Sequence, residues 1–483
     1  VLAALGLFMG CTPDEEQVTP EASFSAETTS AATAGSANPV VRLKTNSFII
    51  ISSSNSLPSD LEGQVKFLKG NVTGLLKEVG MATVTSTDPD FAAKAGKIQG
   101  VSAVIRDAEI QWLNPDNEKT FDAAALNVNP ASSGDSEPYF FLQWGHTAIQ
   151  APAAWNAGAR GKGVKVAVLD TGFFLDHPDL KSNIASSASF VPGEPAQFKS
   201  IPNVRTSSHG SHVAGTIAAA DNGLGVIGVA PDAQLILVKV LRDSGSGSFS
   251  WMMQGILHAV AEGADVINMS LGAGLPRNGK FLDENGNMIN DTKAVQELLN
   301  AISRVTTYAT QQGVTVISSA GNDGNNGNKD QSLVYIPASA PNVISISSTA
   351  PTGWFNNPLT TNLDGVASYT NFGTPAVSFA APGGDFSYPT NELSSLGIPV
   401  WALDMVLSTG TERGYNWNAG TSMASPHAAG VAALIIGQNG GSMDPKKVEA
   451  ALRASADDLG KPGRDPYYGH GRVNAYKAVS AIQ

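Results

Sequence analysis

The sequence predicts an α/β protein built on a doubly wound parallel sheet, with a small α+β unit of ferredoxin-like order ahead of it. One observation is a set of near-continuous apolar runs: "VKVAVLD" (164–170), "QLILVKVL" (234–241), "DVINMSL" (265–271), "VTVISSA" (314–320) and "NVISISS" (342–348). Strands covered by helices on both faces read this way, because neither side meets water. The other is the helical texture of what lies between them, in "HVAGTIAAA", "SWMMQGILHAVAEG" and "AVQELLNAISRVTTYATQQG". In the last segment Val295, Leu298, Leu299, Ile302, Val305 and Ala309 form one stripe and Gly313 marks the stop. A closing helix is expected in "SMDPKKVEAALRA", with Asp444 as N-cap and Pro445 at the first helical position. Ligand sites in such sheets lie at the carboxyl ends of the strands.

From the start of the chain, residues 1–11, "VLAALGLFMGC", are an apolar run too short to span a bilayer, ended by the one cysteine, Cys11. The run has the length of an export signal's apolar region. No Met begins it and no basic residue precedes it, so the chain is expected to start short of its true beginning. The join "FMGC" resembles a bacterial lipobox, which implies lipidation of Cys11 and a membrane anchor; an ordinary cleaved signal is the alternative. Residues 12–40 are rich in Ser, Thr, Ala, Pro and Glu and read as a disordered tether, since they cannot bury enough surface to offset their ordering entropy. Residues 41–113 read as strand, helix, strand, helix, strand: "SFIII", "LPSDLEGQVKFLKGNVTGLLKEVG", "MATVTST", "PDFAAKAGKIQG" and "VSAVIRDAEIQWL". Residues 114–138 carry turn-forming and small residues, as a linker and cleavage zone would. The sheet domain is expected over 139–483.

The charge balance narrows the functions. With 42 acidic and 30 basic residues in 483, the net charge is −12, which disfavours nucleic acid as a partner because phosphate binding needs a cationic face. One cysteine excludes an intrachain disulfide framework.

Three polar residues stand where such a sheet places chemistry. Asp170 ends the strand "VKVAVLD", where a carboxylate is costly unless something pairs with it. His209 opens the small-residue helix of "SSHGSHVAGT", and Ser422 opens the helix of "GTSMASPHAAGVAALII". Singly each has a bland reading: a turn-capping acid, a capping histidine, a helix cap. His212 shares a helix face with His209, but with no third ligand near in sequence packing is favoured over metal. Together, in the order Asp, His, Ser, the three match one known order of a catalytic triad.

The blocks "VAVLDTG", "HGSHVAGT" and "GTSMASPH", with "SSAGNDG" between the last two, closely resemble the signatures of the subtilisin-like serine proteases over residues 140–480. The resemblance implies a serine endopeptidase in which Ser422 attacks, His209 carries the proton and Asp170 orients the imidazole, with Asn322 in the oxyanion hole. It implies a substrate-binding strand at Ser270, Leu271 and Gly272. Ala320 and Gly321 would form the opposite wall, leaving a primary pocket open to a fairly large side chain. Asp323 at its rim would favour basic residues, if it is more than a solvated loop acid. It also implies polypeptide substrates, no cofactor for the chemistry, and the 41–113 unit as the chain's own inhibitory propeptide. A structural calcium is implied at "LDHPDL" and "AAADNGLGVIGVAP", through Asp179 and Asn222, with Phe140 where the family has a further ligand. "AGLPRNGKFLDENGNMINDTK" departs from the family as an insertion with hairpin-like turns, expected to border the cleft and narrow substrate choice. A non-catalytic binding or adhesion protein on the same scaffold is the rival reading. An esterase would carry a G-x-S-x-G elbow, which is absent around Ser422.

Overall fold

The computed structural model describes residues 41–113, 120–123, 137–201 and 205–480. The signal, lipobox and tether readings, Cys11 included, lie outside the described residues.

Residues 41–113 form β1 (Val41–Ser52), α1 (Leu61–Phe67), β2 (Gly70–Leu76), β3 (Met81–Ser86), α2 (Phe91–Ala95) and β4 (Val101–Gln111). β1 lies antiparallel between β3 and β4, and β2 adds outside β3. Phe48 and Ile50 point to the face covered by α1 and α2, against Leu61, Val65 and Phe91. Ile49 and Ile51 point to the opposite face, as the two-residue period of a strand requires.

One element differs from the sequence reading. The long helix expected through residue 80 stops at Phe67, and Gly70–Leu76 runs as a strand. Lys69 takes a left-handed φ of 61°, and Gly70 passes so close to Phe91 and Val65 that a Cβ would lie 2.6 and 2.8 Å from them. Two glycines and the β-branched Val72 and Thr73 favour the edge strand over another turn of helix.

After β5 (Thr120–Ala123), the larger unit opens with α3 (Trp144–Ala148) and α4 (Ala151–Asn156). It continues with β6 (Lys165–Asp170), β7 (Ile184–Ser189), α5 (His209–Ala218), β8 (Gln234–Lys239), β9 (Ser246–Ser248), α6 (Phe249–Ala261) and β10 (Val266–Met269). Then come β11 (Ala273–Pro276), β12 (Lys280–Asp283), β13 (Met288–Asn290), α7 (Thr292–Gln311), β14 (Thr315–Ser319), β15 (Leu333–Ile336), β16 (Val343–Ala350), β17 (Gly365–Val366) and β18 (Phe379–Pro382). The last elements are α8 (Val400–Leu403), β19 (Val406–Thr409), β20 (Tyr415–Asn418), α9 (Thr421–Gln438), α10 (Pro445–Ser455) and α11 (Ala475–Ser480).

The main sheet runs β17-β16-β14-β10-β6-β8-β7, with β18 also on β16, and is parallel except for β17. Val166 and Val168 of β6 face α5, α9 and α10, while Ala167 and Leu169 face α6 and α7. That is the burial on both faces that the apolar runs predict. Asp444 caps α10 by accepting from the Lys446 N–H.

The expected insertion begins as β11, directly after Gly272 in sequence, and continues as the β12–β13 hairpin, which pairs with the N-terminal unit. β12 pairs in parallel with β1 at Arg42 and Leu43, Phe281 is buried in a cluster with Val41 and Leu43, and Glu284 accepts the Thr45 N–H at 3.1 Å. The hairpin therefore extends the N-terminal sheet, because its apolar face is matched by β1.

Candidate active site

Asp170 ends β6 fully buried, beside Lys239 of β8. Lys239 is itself buried and paired with Asp243 and with Glu194 at 3.2 Å. Asp243 in turn accepts the Gly172 N–H at 3.2 Å and the Lys199 N–H at 3.0 Å. The turn after the strand is thus held from behind. Asp170 Oδ1 accepts the Thr171 N–H at 2.7 Å and the His209 Nδ1–H at 2.8 Å. A proton on Nδ1 leaves Nε2 as the acceptor nitrogen.

His209 is the first residue of α5. Ser208 caps the helix by accepting from Ser211 N–H, and its hydroxyl donates to Gly172 O at 2.6 Å. The Gly210 N–H donates to Thr171 Oγ1 at 3.1 Å. Helix and strand end are tied together on both sides of the acid–imidazole pair. His212, one turn on, has Nε2 3.0 and 3.1 Å from the carbonyls of Val406 and Asn416, and burial lowers its pKa to about 3. It is a neutral packing histidine. No group of three or more potential metal-binding side chains occurs among the described residues.

Ser422 is the second residue of α9, a helix that packs beside α5. Its hydroxyl donates to Ser270 O at 3.2 Å. Pro426, four residues on, has no N–H to give the Ser422 carbonyl, so that carbonyl needs another donor. Ser270 Oγ supplies it at 2.8 Å and also meets Ser425 Oγ at 2.9 Å. Ser270 is fully buried, so its side chain braces the turn at Ser422 from beneath.

Asn322 has its carboxamide oxygen engaged twice, by the Thr421 N–H at 2.9 Å and by Thr421 Oγ1 at 2.7 Å. That fixes which way the amide faces and frees Nδ2 as a donor. A methyl carried by Gly420 would lie 3.4 Å from Asn322 Nδ2 and 3.5 Å from Ser422 N, so both donors border one small space. Gly321 is held by its N–H to Thr421 Oγ1 at 3.2 Å. The Leu271 side chain is buried and its carbonyl faces the hydroxyls of Ser318 and Ser319, Gly272 is half-buried, and Ala320 bonds Ile346 O at 2.9 Å.

Three features escaped the sequence reading. The stretch "SGSGS" forms β9, which takes the end of the N-terminal unit as an antiparallel neighbour: Glu109 to Gln111 pair with Ser248 to Ser246. Beyond it, the Trp112 and Leu113 N–H groups bond Gly245 O at 3.1 and 3.2 Å, and Trp112 Nε1 bonds Gly247 O at 3.0 Å. Alternating Ser and Gly after a buried strand was the available signal. The second is Tyr335 of β15. Asp323, expected at a pocket rim, is half-buried; burial raises its carboxyl's pKa, and Tyr335 and Asn371 beside it work against that rise.

For the calcium reading, the donor set fits in part. Asp179 is buried and accepts the Val226 N–H at 3.1 Å. Asn222 turns its Nδ2 toward Pro178 O and Asp179, while its oxygen takes the Leu224 N–H at 2.9 Å, so as placed it offers no oxygen to a cation. The sequence reading missed Glu137, whose Oε1 accepts the Asn222 and Gly223 N–H groups at 3.0 Å each. Glu137 Oε2 is buried without a hydrogen-bond partner, and burial with Asp221 nearby pushes the carboxyl up to about 7. A bound cation would offset that cost.

A parallel α/β sheet with an aspartate–imidazole pair at one helix head and a serine beside amide donors at another defines a serine peptidase. The chain belongs to the subtilase family: residues 161–471 match the family's model, described as the Subtilase family of S8 peptidases. It is similar to a subtilisin of Bacillus pumilus, 36% identical over 338 residues, or 70% of this chain and 98% of that one. An alkaline protease of Alkalihalobacillus alcalophilus is 37% identical over 366 residues, 74% of this chain and 77% of that one. Among solved structures, the epidermin leader peptide processing serine protease of Staphylococcus aureus shares the fold, with a TM-score of 0.68 at 24% identity over 92% of this chain and 99% of that one. The protein is a serine endopeptidase with the subtilisin-like fold.

Proposed function

We propose that the chain is made as a zymogen and hydrolyses polypeptides through a triad of Ser422, His209 and Asp170, with Asn322 and the Ser422 N–H as oxyanion donors. The observation that carries this reading is the 2.8 Å Asp170–His209 bond, which fixes the imidazole tautomer. Rotation of the Ser422 hydroxyl from Ser270 O toward His209 Nε2 lets the imidazole take its proton during attack. The resulting imidazolium is stabilised by Asp170 and returns the proton to the leaving amine. Charge on the tetrahedral oxygen would fall in the space beside Gly420, which both donor nitrogens border. The backbone at 244–247 would receive substrate as an added strand, as it receives residues 109–113.

A fluorophosphonate probe is expected to label the wild-type protein and not Ser422→Ala. Equal labelling of both, or of neither, would remove the triad reading and favour a binding protein on this scaffold.

The zymogen reading rests on the fit of residues 41–113. Their inner face shares an apolar cluster with α6 and α7, including Ile49, Ile105, Met253, Leu298 and Ile302. α6 lacks a side-chain cap of its own at Ser248; Asp107 supplies one, accepting the Ser250 N–H at 3.1 Å and its hydroxyl at 2.7 Å. Arg304 of α7 bonds the carbonyls of Ser52, Ser54 and Val79. These contacts suit a propeptide that covers the enzyme until cleavage.

A structural calcium would be held by the carboxylates of Glu137 and Asp179 and takes no part in the chemistry. Thermal melts of calcium-loaded protein are expected to shift down when chelator is added, and Glu137→Gln should shrink that shift. Identical midpoints with and without chelator would dismiss the ion. Export and a lipid anchor at Cys11 remain part of the proposal; among the described residues no helix is long and apolar enough to cross a membrane.

A further inference from the structure

Resting on the peptidase reading above, we propose that Tyr335 closes the primary side-chain pocket, so that the residue supplying the attacked carbonyl must have a small side chain. This reverses the expectation that Gly272 and Ala320 leave the pocket wide.

Tyr335 sits in β15 directly opposite Gly274 of β11. Its ring touches both walls between which a substrate side chain would enter. A Cβ built on Gly321 would lie 3.3 Å from Tyr335 Cδ1, and one on Gly274 would lie 3.5 Å from Cε1. Gly321 is the residue before Asn322. A side chain projecting from a carbonyl seated between Asn322 and Ser422, toward the gap between 272–274 and 320–321, therefore meets the ring. Near Gly272 the gap is also shallow, since a methyl there would reach Ile336 O at 3.6 Å and Ser319 O at 3.8 Å.

The ring's far end is enclosed. The hydroxyl is buried and faces Asp323 and Asn371. Asn371 is fixed in turn: its oxygen accepts the Asp323 and Asn325 N–H groups at 3.0 and 2.9 Å, and its Nδ2 donates to Ala320 O at 2.9 Å. Burial, then the neighbouring charge of Asp323, raises the phenol's pKa, so the hydroxyl stays a donor at working pH. A cavity of about 320 Å³ lies behind, lined by Tyr335 with Ala320, Asn325, Asp330, Asn371 and others. Gly272, Asn322 and Ser422 do not line it, so the tyrosine stands between that space and the reacting groups.

The test is a peptide series varied only at the residue before the cleaved bond, given to the self-processed full chain as wild type, Tyr335→Ala and Tyr335→Phe. Wild type should favour Ala over Phe at that position by about tenfold or more in kcat/KM. Tyr335→Ala should move the ratio at least about tenfold toward Phe, and Tyr335→Phe should stay near wild type. Should the alanine form not accumulate, Tyr335→Leu keeps an apolar side chain in the ladder and is expected to open the pocket in part. A wild type that takes Phe, Leu or Arg as readily as Ala overturns the proposal, as does an unchanged ratio in an opened variant. Fluorophosphonate labelling of each variant separates the two readings. Labelling with an unchanged ratio sinks this inference alone, whereas no labelling of the wild type sinks the peptidase mechanism and this inference with it.

Discussion

His209→Ala is expected to lower kcat by about 10⁶, a magnitude measured on a subtilisin and transferred to this chain. The protein should then accumulate uncut. The effect is cooperative: without the imidazole, Ser422 loses its proton acceptor, and Asp170 is left a buried carboxylate that keeps the Thr171 N–H. Asp170→Asn should cost about 10⁴, since an amide at that point selects the wrong tautomer while leaving the packing intact. The double variant should be no slower than His209→Ala, because the two side chains act as one device. Single-turnover rates on a chromogenic peptide, with a gel for the uncut chain, give both readouts. Activity within about tenfold of wild type in either variant would mean that another base serves Ser422.

A chain lacking residues 1–113 is expected to yield little active enzyme. The main sheet is assembled from strands far apart in sequence, and such non-local topologies fold slowly. The missing unit supplies the cap on α6, the carbonyls bound by Arg304 and the strands against β9 and β12. Asp107→Ala in the full chain should slow maturation without changing kcat of the enzyme finally released. Activity appearing promptly and in full from the truncated chain would show that the larger unit assembles unaided.

The candidate centre stood out in the sequence because its residues lie at element ends, where composition changes abruptly. Asp170 closes an apolar run, and His209 and Ser422 open helices of small residues. The parallel strands were legible for a related reason: burial on both faces removes the polar alternation that would otherwise confuse period with composition. What could not be read was pairing between remote short segments. β9 has three residues and β12 four, too few to carry a period, and their partners are more than a hundred residues away. β2 was read as helix because Val72 continues the helical spacing of Leu61, Val65 and Leu68, which Lys69 and Gly70 interrupt. Tyr335 gave no warning either, since a tyrosine in a short strand is ordinary until its ring is seen against Gly321 and Gly274. Glu137 lay just outside the expected boundary at 139, so its role beside Asn222 had no motif to announce it.

The backbone is held at two points: Leu113 at Gly245, and Thr120 opposite Asn418, four residues ahead of Ser422. Six residues of sequence join those two anchorages. Under the zymogen proposal, that stretch would be the chain's own first substrate. If the proposed cleavage falls between the two anchorages, the severed downstream end would still lie along β20, and the earliest turnovers would be paced by how quickly that stub lets go.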